Sequence, residues 1–230
     1  MGAGERKADG STPTPSERGF ARRVVGRLEE RYPQIGTALN HDDPWQLLVA
    51  TVVSAQTTDE TVNKVLPELF LRFPGPAELA AADPEVVERI IYSTGFFRQK
   101  TRSIIAMAEG VEERFGGRVP ASIEQLLGLP GVGRKTANVV LAEAFDQQAI
   151  AVDTHVRRVS RRLGLTKETD PDRIEQDLRS LVPRASWNKL SMRMIQHGRD
   201  TCEARTPRCF ECVVVDVCPF PDKNLSVSRP

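Results

Sequence analysis

The stretch Leu129-Pro130-Gly131-Val132-Gly133-Arg134-Lys135-Thr136-Ala137-Asn138-Val139-Val140 constrains the fold more than any other. Pro130 cannot continue a helix that ends at Leu127 or Gly128. Gly131 and Gly133 open backbone conformations closed to other residues and let a second backbone come close. Val132, with no polar task, plugs the turn between them. A second helix begins at about Gly133. The pattern predicts helix, tight turn, helix. The first N–H groups of the second helix have no internal partner and point outward with the positive end of its dipole. They form an anion site that suits a DNA phosphate.

Lys135 lies in the first turn of that helix. A cation is disfavoured at this end of the dipole, which makes its amine a candidate nucleophile toward a sugar carbon or a carbonyl. The alternative is a surface lysine that meets phosphate as a point charge. A short Gly-x-Gly-x-Lys does not by itself separate the two.

Helix signals dominate the remainder and strand signals are almost absent. Ser16 is placed to cap a helix that Pro33 stops. Asp43-Pro44 opens Trp45 to Val53, apolar nearly all round and therefore buried. Thr57-x-x-Glu60 reads as a capping box, and Pro67 falls inside the apolar pattern that follows, where it would kink or divide the helix. Asp83-Pro84, Ser122-x-x-Gln125, Asp153, Asp170-Pro171 and Ser186 open further helices, and Lys100 to Phe115 carries one apolar face. The expectation is an all-α protein of about ten helices. No run is long and apolar enough to span a membrane. Residues 1–14 are small, polar and proline-containing, lack a signal-peptide core, and read as a disordered tail. With nothing directing export, the expected location is cytoplasmic. The net charge of +1 neither supports nor excludes nucleic acid, because only the docking face must be positive.

All four cysteines lie near the end, as Cys202-x6-Cys209-x2-Cys212-x5-Cys218. Four thiolates suit a 4Fe–4S cluster and also a structural zinc. Zinc ribbons usually show two Cys-x-x-Cys pairs, and here only Cys209 and Cys212 are so spaced. Pro219 follows the last cysteine, as in some cluster motifs.

Leu129 to Val140 resembles the helix-hairpin-helix of the endonuclease III family of DNA glycosylases. Ser54-Ala55-Gln56-Thr57-Thr58-Asp59 is similar to that family's loop before its second barrel helix. Val152-Asp153-Thr154-His155-Val156 is similar to its catalytic aspartate segment, and the cysteine spacing matches its iron–sulfur motif. Together the motifs cover about residues 20–220. The resemblance implies a six-helix barrel over residues 37–147, with the hairpin at 123–145. It implies a cluster domain over 148–222, packed with a first helix at 15–36, and a flexible tail at 223–230. Lys135 and Asp153 would share the groove between the two domains.

The activity implied is a bifunctional glycosylase of base excision repair acting on oxidised pyrimidines in duplex DNA. Lys135 would form a Schiff base with the sugar, and the strand would break 3′ to the abasic site. Asp153, which as a residue alone reads equally as a helix cap, would stabilise the oxocarbenium-like sugar and assist proton removal. DNA contacts are implied for Gly131, Gly133, Arg134 and Thr136 of the hairpin and for Gln56. They are implied also for Phe96 and Phe97, His155, and Arg205 and Arg208. Cys202, Cys209, Cys212 and Cys218 would hold a 4Fe–4S cluster, and the protein would act as a monomer on DNA nucleoid-bound in the cytoplasm. Phe96 and Phe97 cannot both face one core from a short turn, so one is expected outside. The loop Glu203 to Arg208 is less basic than is usual in the family. Arg157, Arg158, Arg161 and Arg162 form a basic stripe, but charge runs are usually solvated faces. The other classes open at this stage are a related glycosylase for adenine mispairs or uracil, a non-catalytic hairpin module and an iron–sulfur electron carrier.

Overall fold

The computed structural model describes residues 5–226. Among them are eleven α-helices and no strand. These are α1 (Pro15–Arg31), α2 (Pro44–Val53), α3 (Asp59–Arg72), α4 (Pro76–Ala80), α5 (Pro84–Ile91) and α6 (Phe97–Phe115), then α7 (Ile123–Leu127), α8 (Arg134–Ala144), α9 (Thr154–Arg162), α10 (Pro171–Leu181) and α11 (Trp187–Asp200). Helices α1, α2, α4, α5 and α10 each start on a proline, whose missing N–H is one the first turn would leave unpaired anyway. Asp43, Asp83 and Asp170 cap the helices that follow them. Pro67 sits inside α3 without dividing it.

The chain separates into two compact units, one formed by residues 37–147 and the other by the segments either side. In the unit of residues 37–147, α2 is the axis. Leu47, Leu48, Val49, Ala50 and Val53 are fully shielded from solvent, and α3, α6 and α8 pack on it. Helix α6 is the second support and carries α4 and α5 as well as one side of the hairpin. The other unit brings α1 onto α10 and α11, and α9 onto α11. Its core gathers Val24 and Leu28 with Val156, Val159, Ile174, Leu178, Leu190 and Met194. Burying an aliphatic side chain of this size contributes roughly 1.5–3 kcal/mol. This core is what joins segments more than a hundred residues apart in sequence. Buried Arg193 on α11 reinforces the join, donating to Tyr32 O at 3.3 Å and to Glu29 Oε1 at 2.9 Å.

Three local expectations need correction. Residues 5–14 are not a disordered tail. The Ala8 N–H donates to Asp177 Oδ1 at 2.8 Å, Gln176 donates to Lys7 O at 3.2 Å, and Glu5 pairs with Arg179 at 2.9 Å. Lys7 pairs with Glu17, which, with the Thr14 N–H, draws that carboxyl down to about 2. The composition is polar, but α10 supplies distant partners that composition does not show. Residues 1–4 and 227–230 lie outside the described residues. Thr14, not Ser16, caps α1, and Glu17 completes a capping box with it. Thr58, not Thr57, caps α3, because the Thr57 hydroxyl is used elsewhere.

Candidate active site

The hairpin runs from α7 through Gly128 to α8. Leu129 and Val132 are buried and close the turn with a Val132 N–H to Leu129 O bond of 3.2 Å. Gly131 has φ +74, and a Cβ there would sit 2.9 Å from Ser103 Cβ on α6. Both the backbone and the space therefore demand glycine. Gly110 of α6 gives way to Leu129, whose Cδ2 lies 3.1 Å from where a Cβ would be, and Arg114 donates to Gly128 O at 2.6 Å. Thus α6 sets the height and tilt of the turn.

Gly133 is the N-cap of α8 and offers no side-chain cap, so no cap side chain covers the first turn of that helix. Lys135 is the second residue of α8 and is exposed. Among the described residues its ammonium has no acid partner and no hydrogen bond. Gly131, Gly133, Arg134, Lys135 and Thr136 all lie at this one end of α8.

Asp153 belongs to the other unit. It caps α9, its Oδ1 accepting from Val156 N–H at 2.7 Å. Ile150, Ala151 and Val152 before it are buried, and the Ala151 N–H donates to Ser191 Oγ of α11 at 2.8 Å. The carboxylate is thus fixed from both sides, half-exposed, with one oxygen engaged in the cap. His155 is half-buried, its Nδ1 3.1 Å from Arg158 Nη2. Burial lowers its pKa, with Asp153 opposing and Arg158 and Arg199 adding to the fall. Burial thus favours the neutral imidazole. Gly198 makes room for it, since a Cβ there would come within 2.9 Å of Nδ1.

Gln56 and Phe96 occupy two loops of the hairpin-bearing unit, and both adopt positive φ, 55° and 47°. Left-handed backbone at non-glycine residues is a strain that persists only when the surroundings hold it. Lys100 supplies that hold, a role that sequence reading missed. It is buried at 5% exposure, and its Nζ donates to Thr57 Oγ1 at 2.7 Å and to Thr94 O at 2.8 Å. The Thr57 hydroxyl also donates to Thr94 O. One ammonium therefore ties the Gln56 loop to the Phe96 loop, at the cost of a pKa lowered by burial. Phe96 is the aromatic that faces out, at 64% exposure. Phe97 is half-buried, 4.8 Å from the Tyr92 ring.

The four cysteines are free thiols, each half-buried, in the unit that carries Asp153. Burial pushes the Cys212 thiol up to about 11, and the charges of Cys218, Cys202 and Cys209 push the same way. Arg162 Nη1 lies 3.5 Å from Cys202 Sγ, and His197 Nε2 lies 3.6 Å from Cys212 Sγ. His197 is buried, and that burial lowers its pKa to about 4, so it stands beside the thiols as a neutral ring. Gly164, with φ +70, admits Pro219, whose Cγ would be 2.8 Å from a Cβ there. Among the described residues no group of three or more His, Cys, Asp or Glu is drawn up to hold a single metal ion. In the loop after Cys202, Arg205 is exposed, whereas Arg208 donates to Asp200 O at 2.9 Å and lies between Glu203 and Glu211.

Residues 49–184 match the model of the HhH-GPD superfamily of base excision DNA repair proteins. Endonuclease III of Synechocystis is 50% identical over 205 residues, 89% of this chain and 94% of that protein. The chain belongs to the endonuclease III family. It is accordingly a DNA glycosylase of base excision repair with abasic-site lyase activity. Endonuclease III of Escherichia coli K12 is 38% identical, covering 87% of this chain and 95% of its own length. A solved structure of a trapped endonuclease III–DNA covalent intermediate superposes with a TM-score of 0.84 at 38% identity, covering 88% and 96% of the two chains. A thermostable thymine-DNA glycosylase, at 21% identity and TM-score 0.82, shares the fold. Among the described residues no helix is long and apolar enough to cross a membrane.

Proposed function

We propose that this family member removes oxidised pyrimidines from duplex DNA by a lysine Schiff base and then cuts the strand on the 3′ side. The carrying observation is the exposed, unpaired Lys135 amine one residue inside the helix that Gly133 opens without a side-chain cap. The damaged nucleotide leaves the stack, because its C1′ is out of reach within the duplex. The unprotonated Lys135 amine attacks C1′ as the bond from C1′ to the base nitrogen breaks and the base departs with a proton. Asp153 carries the negative charge that steadies the electron-poor sugar and can accept the proton released by the amine. Ring opening gives the iminium. Loss of a C2′ proton then expels the 3′ phosphate, and water later releases the lysine. Phosphates sit on the α8 N-terminus, while Gln56 and Phe96 enter the space left by the extruded nucleotide. The enzyme works as a monomer on nucleoid DNA in the cytoplasm.

Cys202, Cys209, Cys212 and Cys218 fit a 4Fe–4S cluster. The donors are four sulfurs, with the Arg162 guanidinium beside one of them to favour thiolate. A single zinc at about 2.3 Å from each sulfur would need a tighter group. A cluster, in which each cysteine binds a different iron, does not. When bound it would supply a rigid anchor for the loop from Glu203 to Arg208, whose Arg205 is free to meet phosphate.

Base release from duplexes carrying oxidised thymine or cytosine, uracil, or adenine opposite a lesion tests the reading. Release is expected from the oxidised pyrimidines, with cleaved strand, from protein containing four irons. Preferred release of adenine or uracil without strand cleavage would overturn it. Lys100→Met tests the loop clamp. It is expected to cost about 1–3 kcal/mol of stability, since lost bonds to a charged donor are partly offset by relief of its desolvation. Base release from duplex DNA is expected to fall by up to about 10²-fold through misplacement of Gln56 and Phe96. Single-turnover rates on well-stacked and mismatched duplexes check this, because the loss should shrink where opening is already easy.

A further inference from the structure

The arginines of α9 do more than meet solvent. Arg157, Arg158, Arg161 and Arg162 line, with Thr154 and Phe220, a cleft of about 520 Å³ that no carboxylate faces. The four are not equivalent. Arg158 spends its donors on the carbonyls of Cys202 at 3.1 Å and Gly198 at 2.9 Å. Arg162 bonds the carbonyls of Glu203 at 2.6 Å and Ala204 at 2.8 Å, and its guanidinium lies 4.6 Å from the Phe220 ring centroid. Carbonyls and an aromatic face fix these two groups, Arg158 meets no anion among these partners, and Arg162 also lies 3.5 Å from Cys202 Sγ. Arg157 and Arg161 are exposed, and among the described residues neither guanidinium has a hydrogen bond or an ion pair. They are one turn apart, on the same side of the helix, where like charges repel. A solvated face would ordinarily relieve this with acids at four-residue spacing; α9 itself contains none, and Asp153, four residues before Arg157, has one oxygen engaged in the helix cap. The concave shape, the fixed positive floor and the two uncommitted forks together describe an anion site. It begins at Thr154, next to Asp153, and the backbone positions of Arg157 and Arg161 are about 6 and 12 Å along the helix axis from that of Asp153.

We propose that this cleft is a second binding surface for the DNA backbone, with Arg157 and Arg161 each taking a phosphate of one strand as it leaves the reacting nucleotide. The proposal rests on the reading that Asp153 faces substrate DNA, and it adds a contact outside the hairpin and the cysteine loop. Its signature is the salt dependence of binding, because each phosphate contact releases counterions and adds about 0.9 to the slope of log affinity against log salt.

The test measures affinity for a duplex carrying a non-cleavable abasic-site analogue, from about 50 to 200 mM salt, by fluorescence anisotropy. Four proteins are compared: wild type, Arg157→Ala with Arg161→Ala, Arg157→Lys with Arg161→Lys, and Arg22→Ala with Arg23→Ala. The last pair removes the same charge from exposed positions of α1. The α9 alanine pair is expected to lower the slope by about 1.8, so that wild type loses about twelve-fold more affinity than this variant across the range. The lysine pair should restore most of the slope, since a point charge still neutralises a phosphate. The α1 pair should leave the slope near wild type. An unchanged slope in the α9 alanine pair overturns the proposal, as does an equal fall in both alanine pairs, which would report net charge alone. Wild type without salt-dependent duplex binding would instead overturn the DNA reading on which the cleft depends. Circular dichroism and thermal melting verify folding of each variant.

Discussion

Lys135→Ala is expected to abolish the covalent adduct that borohydride traps between the protein and abasic DNA, and to slow base release on the order of 10⁴-fold or more, the scale seen when a covalent nucleophile is removed. Stability should move by no more than about 0.5 kcal/mol, because the side chain is exposed and unpaired. Binding to an abasic-site analogue should persist, since the α8 N–H groups and their glycine turn are untouched. Lys100 is the informative rival. Burial pushes its pKa below the ordinary lysine range, and on titration alone that would nominate it as the activated amine. Geometry rules against this. Its Nζ is sealed inside the unit between Thr57 and Thr94 and presents nothing to a sugar. Lys100→Met should therefore still form the trapped adduct, whereas Lys135→Ala should not. Equal trapping by the Lys135 variant would place the nucleophile elsewhere.

The contrast between these two lysines shows where sequence suffices. The hairpin was legible because its constraints are local. Proline stops one helix, and glycine at positive φ allows the turn. The next helix then starts with unpaired N–H groups, so Lys135 has its position from five neighbouring residues. The helix starts at Asp43, Asp83 and Asp170 were legible for the same reason. Lys100 was not, because a lysine becomes a buried clamp only when loops ending near Thr57 and Thr94 close over it. Residues 5–14 escaped notice likewise, since Asp177 and Arg179, which hold them, are about 170 positions away. Phe96 and Phe97 fall between these cases. Adjacency showed that one must face out, but only the left-handed backbone at Phe96 decides which. The proposed joint action of Lys135 and Asp153 has no local signal and rests on resemblance.

The catalytic role proposed for Asp153 gives the second large effect, and Asp153 allows that role to be separated from helix capping. As the cap of α9 it needs an oxygen to accept from Val156 N–H; as a participant in catalysis it needs a negative charge. Asparagine keeps the first and loses the second. Asp153→Asn is therefore expected to melt within about 0.5 kcal/mol of wild type while base release falls by roughly 10²–10³-fold, the usual consequence of removing one oriented group from a developing charge. Asp153→Ala loses both. It should show a similar kinetic defect together with about 1 kcal/mol of destabilisation from the missing cap. Serine completes the series, since it caps nearly as well and carries no charge, and it should follow asparagine. Thermal melts and single-turnover base release on the three variants check the scheme. If activity tracked stability across the series, with asparagine and serine near wild type and alanine impaired, Asp153 would be a cap alone. The charge opposing the electron-poor sugar would then have to come from another group.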